Sequence, residues 1–240
     1  MLATAARRVS SLSTSTMPNT KTLNIHWFRH QDLRLMDNPA LCRSVQKSRQ
    51  ANHNDDVSSG LLPIFCFDPR LVHASTKTPF GSQKCGAGRA QFLIESVEDL
   101  RKQLQENGSG LVVAVGKPEE VFPKLLNAIE KEMDNGGSTM LVPSLVCQEE
   151  VASEELSVDK ALKNALKTFR KGANGSFETV WGSTLYDIDD LPFEQGVSGM
   201  PDVFTPFRNK MEKVSKALRE KTFFFNTLQN TSLIQLPRWH

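Results

Sequence analysis

NIHWFRHQDLRLMDNPAL, residues 24–41, is the stretch that decides the fold. An apolar run from Leu23 to Phe28 is typical of a buried strand, and it ends abruptly in charge. The charged residues that follow are Arg29, Asp32, Arg34 and Asp37. Asp37 or Asn38 suits a helix cap, and Pro39 suits the first helical turn. The stretch predicts a buried strand, a charged loop and a helix. The loop is either a ligand site at the sheet edge or a salt-bridged turn.

The same strand-and-helix pattern repeats along the chain. Further strands are predicted at 61–67, 111–115, 139–142 and 177–181. The fourth either ends at Val142 or extends through Pro143 to Cys147 with an interruption. Helices are predicted at 39–50, 89–106, from Pro118 and from Ser153. Five alternations at this spacing predict an α/β fold. We expect a Rossmann-like five-stranded parallel sheet with helices on both faces, followed by an extended linker and a short helix from Asp202 to about Glu220.

Charge and composition divide the 240 residues into three parts. Residues 1–22 carry a charge of +3, so the remainder of this +2 chain is close to neutral, unlike a stand-alone nucleic-acid binder. That Ser/Thr-rich, acid-free leader is typical of a chloroplast or mitochondrial transit peptide; as a disordered tail it would leave the protein in the nucleus or cytoplasm. The predicted domain is 23–186, with a linker, helix and divergent tail at 187–240. No apolar window is long enough to cross a membrane.

Few residue patterns in the chain point to chemistry. The four cysteines are scattered and the histidines lack metal spacing, so no metal site is predicted. Neither a P-loop nor a dinucleotide fingerprint is present, and no Ser-His-Asp set can be assembled. The acidic group Gln148-Glu149-Glu150 follows the fourth strand, where a carboxylate would face the ligand crevice. It could accept hydrogen bonds from a 2-amino-pyrimidinone ring, or it could be a solvated acidic loop.

Several motifs together resemble the amino-terminal half of photolyases and cryptochromes, with the DASH branch the best match. The opening motif is Trp27-Phe28-Arg29, Asp32-Leu33-Arg34 and Asp37–Leu41. The further motifs, in order, are Phe67–Arg70, Arg89–Ser96, Gly116–Glu119, Trp181–Tyr186, Asp190–Phe193 and Asp202–Arg208. The resemblance covers roughly residues 22–212.

The resemblance implies an antenna domain that holds a light-harvesting chromophore, methenyltetrahydrofolate in the DASH branch. The carboxylate that contacts the pterin in this family corresponds to Glu150, with Glu149 as the weaker candidate. The family's FAD-binding helical half would begin after about residue 220. We therefore expect no catalytic residue, no FAD site and no direct DNA contact in this chain. Full-length relatives use FAD to repair cyclobutane pyrimidine dimers in single-stranded DNA.

Two departures from the family pattern are visible. His30 and Gln31 stand where the family has one residue, so the opening loop is one residue longer. After about Lys213 the sequence no longer resembles the family, which favours a truncated gene over a genuine antenna-only protein. The other functional hypotheses are a Rossmann-like nucleotide-binding module and a partner-interaction domain, both without a light function.

Overall fold

A parallel sheet forms the centre of this computed structural model, which describes residues 19–52, 60–133, 139–169, 175–184, 191–193 and 196–218. The strands are β1 (Asn19–Phe28), β2 (Leu61–Phe67), β3 (Val112–Val115), β4 (Thr139–Gln148) and β5 (Ser176–Val180). All neighbours pair in parallel in the order β3-β2-β1-β4-β5. The chain moves outward from β1 and then returns to β4 on its other side. The strand order therefore reverses between β1 and β4, which is where open α/β sheets bind ligands.

Helices cover both faces of the sheet, as the alternating pattern predicts. They are α1 (Pro39–Asn52), α2 (Pro69–Val72), α3 (Ala87–Glu106), α4 (Pro118–Met133), α5 (Ser153–Thr168) and α6 (Phe204–Leu218), with a 3₁₀ turn at Gly196–Gly199. Trp27 of β1 packs with α4 and α5, whereas Phe28 packs with α1 and α3. The two residues face opposite ways because side chains alternate along a strand. The predicted five-stranded Rossmann-like α/β fold is confirmed.

Three local features differ from the sequence prediction. The opening strand begins at Asn19, not Leu23, because β1 pairs with β4 from Thr139 onward. The predicted interruption of the fourth strand at Pro143 was wrong. The β5 ladder begins only opposite Ser144, so Pro143 lies where one side of β4 is still open and its missing N–H costs little. The turn after β2 contains α2, which Asp68 caps by accepting from Arg70 N at 2.9 Å.

Some predicted segments lie outside the described residues. These are most of the leader (residues 1–18), the start of the linker (185–190) and the tail (219–240). The helix expected from Asp202 is present as α6. Among the helices that the structure describes, none is long and apolar enough to span a membrane.

Candidate functional site

A buried ion pair lies at the carboxyl end of β1. Arg29 donates from both terminal nitrogens to Asp159 Oδ1 of α5, at 2.8 and 2.6 Å. Its guanidinium also lies over the Trp27 ring, 4.3 Å from the centroid. Only 3% of the Arg29 side chain is exposed, and its Nε has no partner among the described residues. Burial raises the pKa of Asp159, and Arg29 offsets part of that rise. The pair fixes the start of the first loop against α5.

The rest of the opening loop is held by Asp32. Its carboxylate accepts from Arg34 Nη1 and from Asn38 Nδ2, the latter at 3.2 Å. Asn38 also caps α1, because its Oδ1 accepts from Leu41 N at 2.9 Å. Burial is the main cause that raises the pKa of Asp32 to about 6, and the nearby Glu150 carboxylate adds to it. Ion pairs and hydrogen bonds among its own residues therefore brace the opening loop.

Glu150, the main candidate from sequence, lies two residues beyond the end of β4 and is 94% buried. The Gln148 side chain favours the ionised form of this carboxyl group and so lowers its pKa. Its Oε1 has no partner in the part of the chain that the structure describes. Burial raises the pKa of Glu150, and Arg29 offsets part of the effect. A buried acceptor without a donor costs about 1–3 kcal/mol, so the fold carries this oxygen at an energetic loss.

Glu149, the weaker candidate, has a different position. Its side chain is half-buried, and its backbone N–H donates to Val180 O at 2.8 Å. That bond extends the attachment of β4 to β5 by one step beyond the ladder. Glu149 thus anchors the loop through its backbone. The Arg29 charge lowers the pKa of Glu150, and the Glu150 charge raises the pKa of Asp32.

A groove of about 700 Å³ lies at the same sheet edge, between α2 with its following loop and the start of α5. Its cations already have anionic partners. Arg70 pairs with Asp68 and Glu119 at 2.6 and 2.8 Å, and Lys84 pairs with Glu154 at 2.6 Å. The groove is therefore not strongly basic, and a ligand there would meet neutralised pairs and hydroxyl groups.

The other residues considered from sequence have structural roles. Lys117 pairs with Glu120 at 3.2 Å on the exposed surface. His26 is fully buried, its Nδ1 bonds the Ser44 hydroxyl at 2.8 Å, and burial lowers its pKa to about 3. Within the described ranges, no group of three or more His, Cys, Asp and Glu residues could hold a metal ion.

Sequence reasoning missed Asp159. A signal was present, because Asp159 precedes Leu162 and Leu166 by three and seven residues and so lies on the apolar stripe of α5. A carboxylate on a buried stripe requires a partner. The partner, Arg29, is 130 residues away, and local spacing could not identify it.

Known proteins resemble this chain over most of its described residues. The DNA photolyase family model matches residues 24–223. The chain is 38% identical over 200 residues to an Arabidopsis thaliana protein named cryptochrome DASH, chloroplastic/mitochondrial, covering 83% of this chain and 30% of that protein. It is 40% identical over 185 residues to the Xenopus laevis cryptochrome DASH, covering 77% and 30% respectively.

Two solved structures share the fold. The crystal structure of a Synechocystis cryptochrome matches with a TM-score of 0.63 at 30% identity, over 82% of this chain and 34% of that one. The photolyase of Sulfolobus tokodaii, described with two FAD molecules, has a TM-score of 0.52 at 23% identity, covering 81% and 35% respectively, and supports the fold alone. The chain thus spans about a third of the length of the relatives that it matches.

Proposed function

Because the chain belongs to the DNA photolyase family, we propose that it forms the antenna part of a DASH-type blue-light protein and binds a folate chromophore, methenyltetrahydrofolate. The observation that carries the proposal is the Glu150 carboxyl group. It is nearly fully buried, and one oxygen lacks a donor among the described residues. A pterin supplies the complementary edge, an amino group next to a ring N–H. Such an edge donates two hydrogen bonds to a carboxylate.

The described residues supply the support that this arrangement needs. The Gln148 side chain favours the ionised form of Glu150, and the backbone of Glu149 ties the loop to β5 through Val180 O. Arg29, fixed by Asp159, favours the ionised form of Glu150, which is the form that accepts two hydrogen bonds. Site residues held by neighbours in this way bind with less loss of side-chain entropy. Glu149 is the second candidate because it belongs to the same loop and its side chain is half-buried.

The bound folate would absorb near-ultraviolet light and pass the energy on. In the whole protein we propose that the acceptor is FAD in a helical half, and that the activity is photolyase repair of cyclobutane pyrimidine dimers in single-stranded DNA or light signalling. DNA would be contacted through that half. A lesion within the base stack must be flipped out before it can react, which requires a pocket on the helical half.

We also propose import into a chloroplast or mitochondrion. The leader is rich in Ser and Thr and contains Arg7 and Arg8 without any acid. The Arabidopsis relative is named chloroplastic/mitochondrial. A fusion of residues 1–30 to a fluorescent protein tests this proposal. Diffuse cytosolic or nuclear fluorescence would contradict it.

An absorbance titration tests the folate site. The full chain is mixed with methenyltetrahydrofolate, passed through a desalting column and scanned. We expect about one equivalent of the folate band in the wild type, loss of the band in Glu150→Gln and retention in Glu98→Gln, an exposed control on α3. Loss in Glu149→Gln with retention in Glu150→Gln would transfer the role to Glu149. A wild type without folate would refute the proposal.

The groove favours one second candidate, a nucleotide-binding module without a light function. It lies at the carboxyl edge of a sheet whose strand order reverses at β1, the usual position for a nucleotide. Purified protein that carries one equivalent of adenine nucleotide and no pigment would favour it. A purified protein that carries neither folate nor nucleotide but captures a separate protein partner would favour an interaction domain.

A further inference from the structure

The loop between α2 and α3 contains a short β-hairpin, residues 76–84, whose two sides meet at one antiparallel bridge. At its turn, Gly81 N donates to Thr78 O at 2.9 Å, and Thr78 N donates to Ser82 O at 2.8 Å. Proline suits the second position of such a turn, and glycine suits the fourth, where Gly81 has φ +85°. The turn sequence TPFG, residues 78–81, therefore holds Phe80 at the tip of the 76–84 hairpin.

The base of the 76–84 hairpin is attached to the rest of the domain. The Thr76 hydroxyl donates to Pro69 O at 3.0 Å, and Lys84 N donates to Thr76 O at 3.0 Å. The Lys84 side chain is ion-paired with Glu154 of α5 at 2.6 Å, and the next residue, Cys85, is buried. A segment that is already ordered loses little conformational entropy when its tip binds a partner.

The tip of the 76–84 hairpin is apolar and fully accessible. Phe80 is 96% exposed, the highest value among the large apolar side chains of the described residues. Pro79 and Gly81 on either side of it are also exposed. Turns usually carry polar residues or glycine at such positions. Phe80 therefore adds nothing to the core of the domain, and it projects as a single apolar point from a convex surface.

Positive charge surrounds this apolar tip. Residues 69–94 contain four Lys and Arg residues and no Asp or Glu. Two of the four, Arg70 and Lys84, are paired with carboxylates of neighbouring segments. The other two, Lys77 and Arg89, are exposed, and neither forms an ion pair with a described residue. Lys77 belongs to the hairpin itself, three residues before Phe80. The hairpin thus combines an apolar tip with an uncompensated cation behind it, which is complementary to an anionic surface with an apolar interior.

We propose that the 76–84 hairpin is a peripheral membrane contact, which inserts Phe80 into the interface of an anionic lipid bilayer and places Lys77 among the headgroups. Apolar groups of interfacial segments enter a bilayer by about 5–10 Å, and cations near the surface are attracted by anionic lipids. At about 3.4 Å per residue, Lys77 lies no more than about 10 Å behind Phe80 along the hairpin, which matches the depth of the headgroups. Single-stranded nucleic acids, the other polyanionic partner, are bound in basic grooves by several aromatic side chains. A convex tip with one aromatic ring fits the bilayer better.

The expected contact is weak, reversible and dependent on lipid charge. Burial of one Phe side chain should strengthen partitioning about tenfold or more. Each cation near an anionic surface should add a factor of about five, and this part should weaken at high salt. The contact requires no membrane-spanning segment and no bound chromophore, so it is independent of the proposed folate function.

Flotation of the purified full chain with vesicles at millimolar lipid tests the proposal. The vesicles are phosphatidylcholine alone or phosphatidylcholine with one third phosphatidylglycerol. The wild type should float with the anionic vesicles only. Phe80→Ser should lower the partition coefficient about tenfold, and Lys77→Gln about fivefold. Phe204→Ser on α6 and Lys102→Gln on α3, which change exposed residues of the same types elsewhere, should keep the wild-type value.

A second variant reports insertion directly. Phe80→Trp should still bind, and vesicles with brominated acyl chains should quench its added fluorescence; bound protein without quenching would overturn insertion. Equal binding to both kinds of vesicle, or unchanged binding of Phe80→Ser with a superimposable circular dichroism spectrum, would also overturn the proposal. A wild type that floats with neither vesicle would do the same. In that case, Phe80-dependent binding of a fluorescent oligothymidine would assign the hairpin to single-stranded nucleic acid instead.

Discussion

Replacing Asp159 by leucine should destabilise the chain by about 3 kcal/mol, because the buried Arg29 guanidinium would lose its anion. In the structure, Asp159 accepts both terminal Arg29 hydrogen bonds, at 2.6 and 2.8 Å, and only 3% of the Arg29 side chain is exposed. Removal of one partner from a buried pair typically costs about 3–5 kcal/mol. The lower end applies here, since Arg29 keeps its stacking on Trp27 and its attraction to Glu150.

Two further variants separate charge from shape. Asp159→Asn keeps the shape and one acceptor, so its cost should be about 2 kcal/mol, the value of a charge-assisted hydrogen bond. The double variant Arg29→Met with Asp159→Leu should recover to within about 1 kcal/mol of the wild type, because an apolar replacement of both partners leaves neither member of the pair buried alone. Recovery in the double variant would identify the unpaired guanidinium as the cause of the loss.

Urea unfolding followed by circular dichroism measures these free energies, and tryptophan fluorescence reports the Arg29–Trp27 contact. Asp99→Leu is the matched control, because Asp99 lies on the exposed face of α3; its cost should stay within about 0.5 kcal/mol. If Asp159→Leu cost no more than Asp99→Leu, the buried pair would contribute nothing and the reasoning would be refuted.

Three further predictions test the energetics of the site and its loops. Asp32 has a folded pKa of about 6 against an ordinary 3.8, so its contribution to stability is complete below about pH 4 and lost as the pH rises through 6. The free energy of unfolding of the wild type should therefore fall by about 3 kcal/mol across that window from this group alone. Urea unfolding at a series of pH values measures the fall. If Asp32→Asn showed the same fall in stability with pH as the wild type, Asp32 would not be its cause. Glu150→Gln should leave the unliganded chain as stable as the wild type, or about 1 kcal/mol more stable, at pH 7, because it removes a buried and poorly partnered charge. A loss of stability of about 2 kcal/mol or more, measured by thermal unfolding, would show that the carboxylate is well satisfied without a ligand. Gly116→Ala should destabilise the chain by about 2 kcal/mol, because Gly116 has φ +146° and an added Cβ would lie 2.8 Å from Val121 Cγ2. The control Gly88→Ala in α3, where the added Cβ meets open space, should stabilise the chain by about 0.5 kcal/mol. Equal effects of the two changes on the free energy of unfolding would contradict the steric argument.

Local sequence patterns were sufficient to predict the five strands and the longer helices, but not the four-residue α2. The limits of β2 and the start of α1 match because Gly60 and Asn38 stop or cap their elements through neighbours close in sequence. The start of β1 and the continuity of β4 were missed because strand length depends on the partner strand. The β1–β4 ladder extends β1 back to Asn19, and the late start of β5 makes Pro143 tolerable.

The candidate site was predictable only in part for the same reason. The acidic group Gln148-Glu149-Glu150 could be singled out because it follows a predicted strand at the binding edge of the sheet, and the family resemblance selected Glu150 within that group. The electrostatic environment of Glu150 depends on Arg29, which is distant in sequence and is itself held by Asp159. The charged character of the first loop was visible in the sequence, but no local rule indicates that Arg29 is anchored by a carboxylate on the apolar stripe of α5.

The most direct test of the account is the stoichiometry of methenyltetrahydrofolate on the desalted full chain, read from its near-ultraviolet band, in the wild type and in Glu150→Gln. The account predicts about one equivalent on the wild type and at most a tenth of that on Glu150→Gln, with circular dichroism spectra that superimpose. Equal folate on both proteins would contradict the role assigned to the Glu150 carboxylate, and none on either would contradict the antenna function itself.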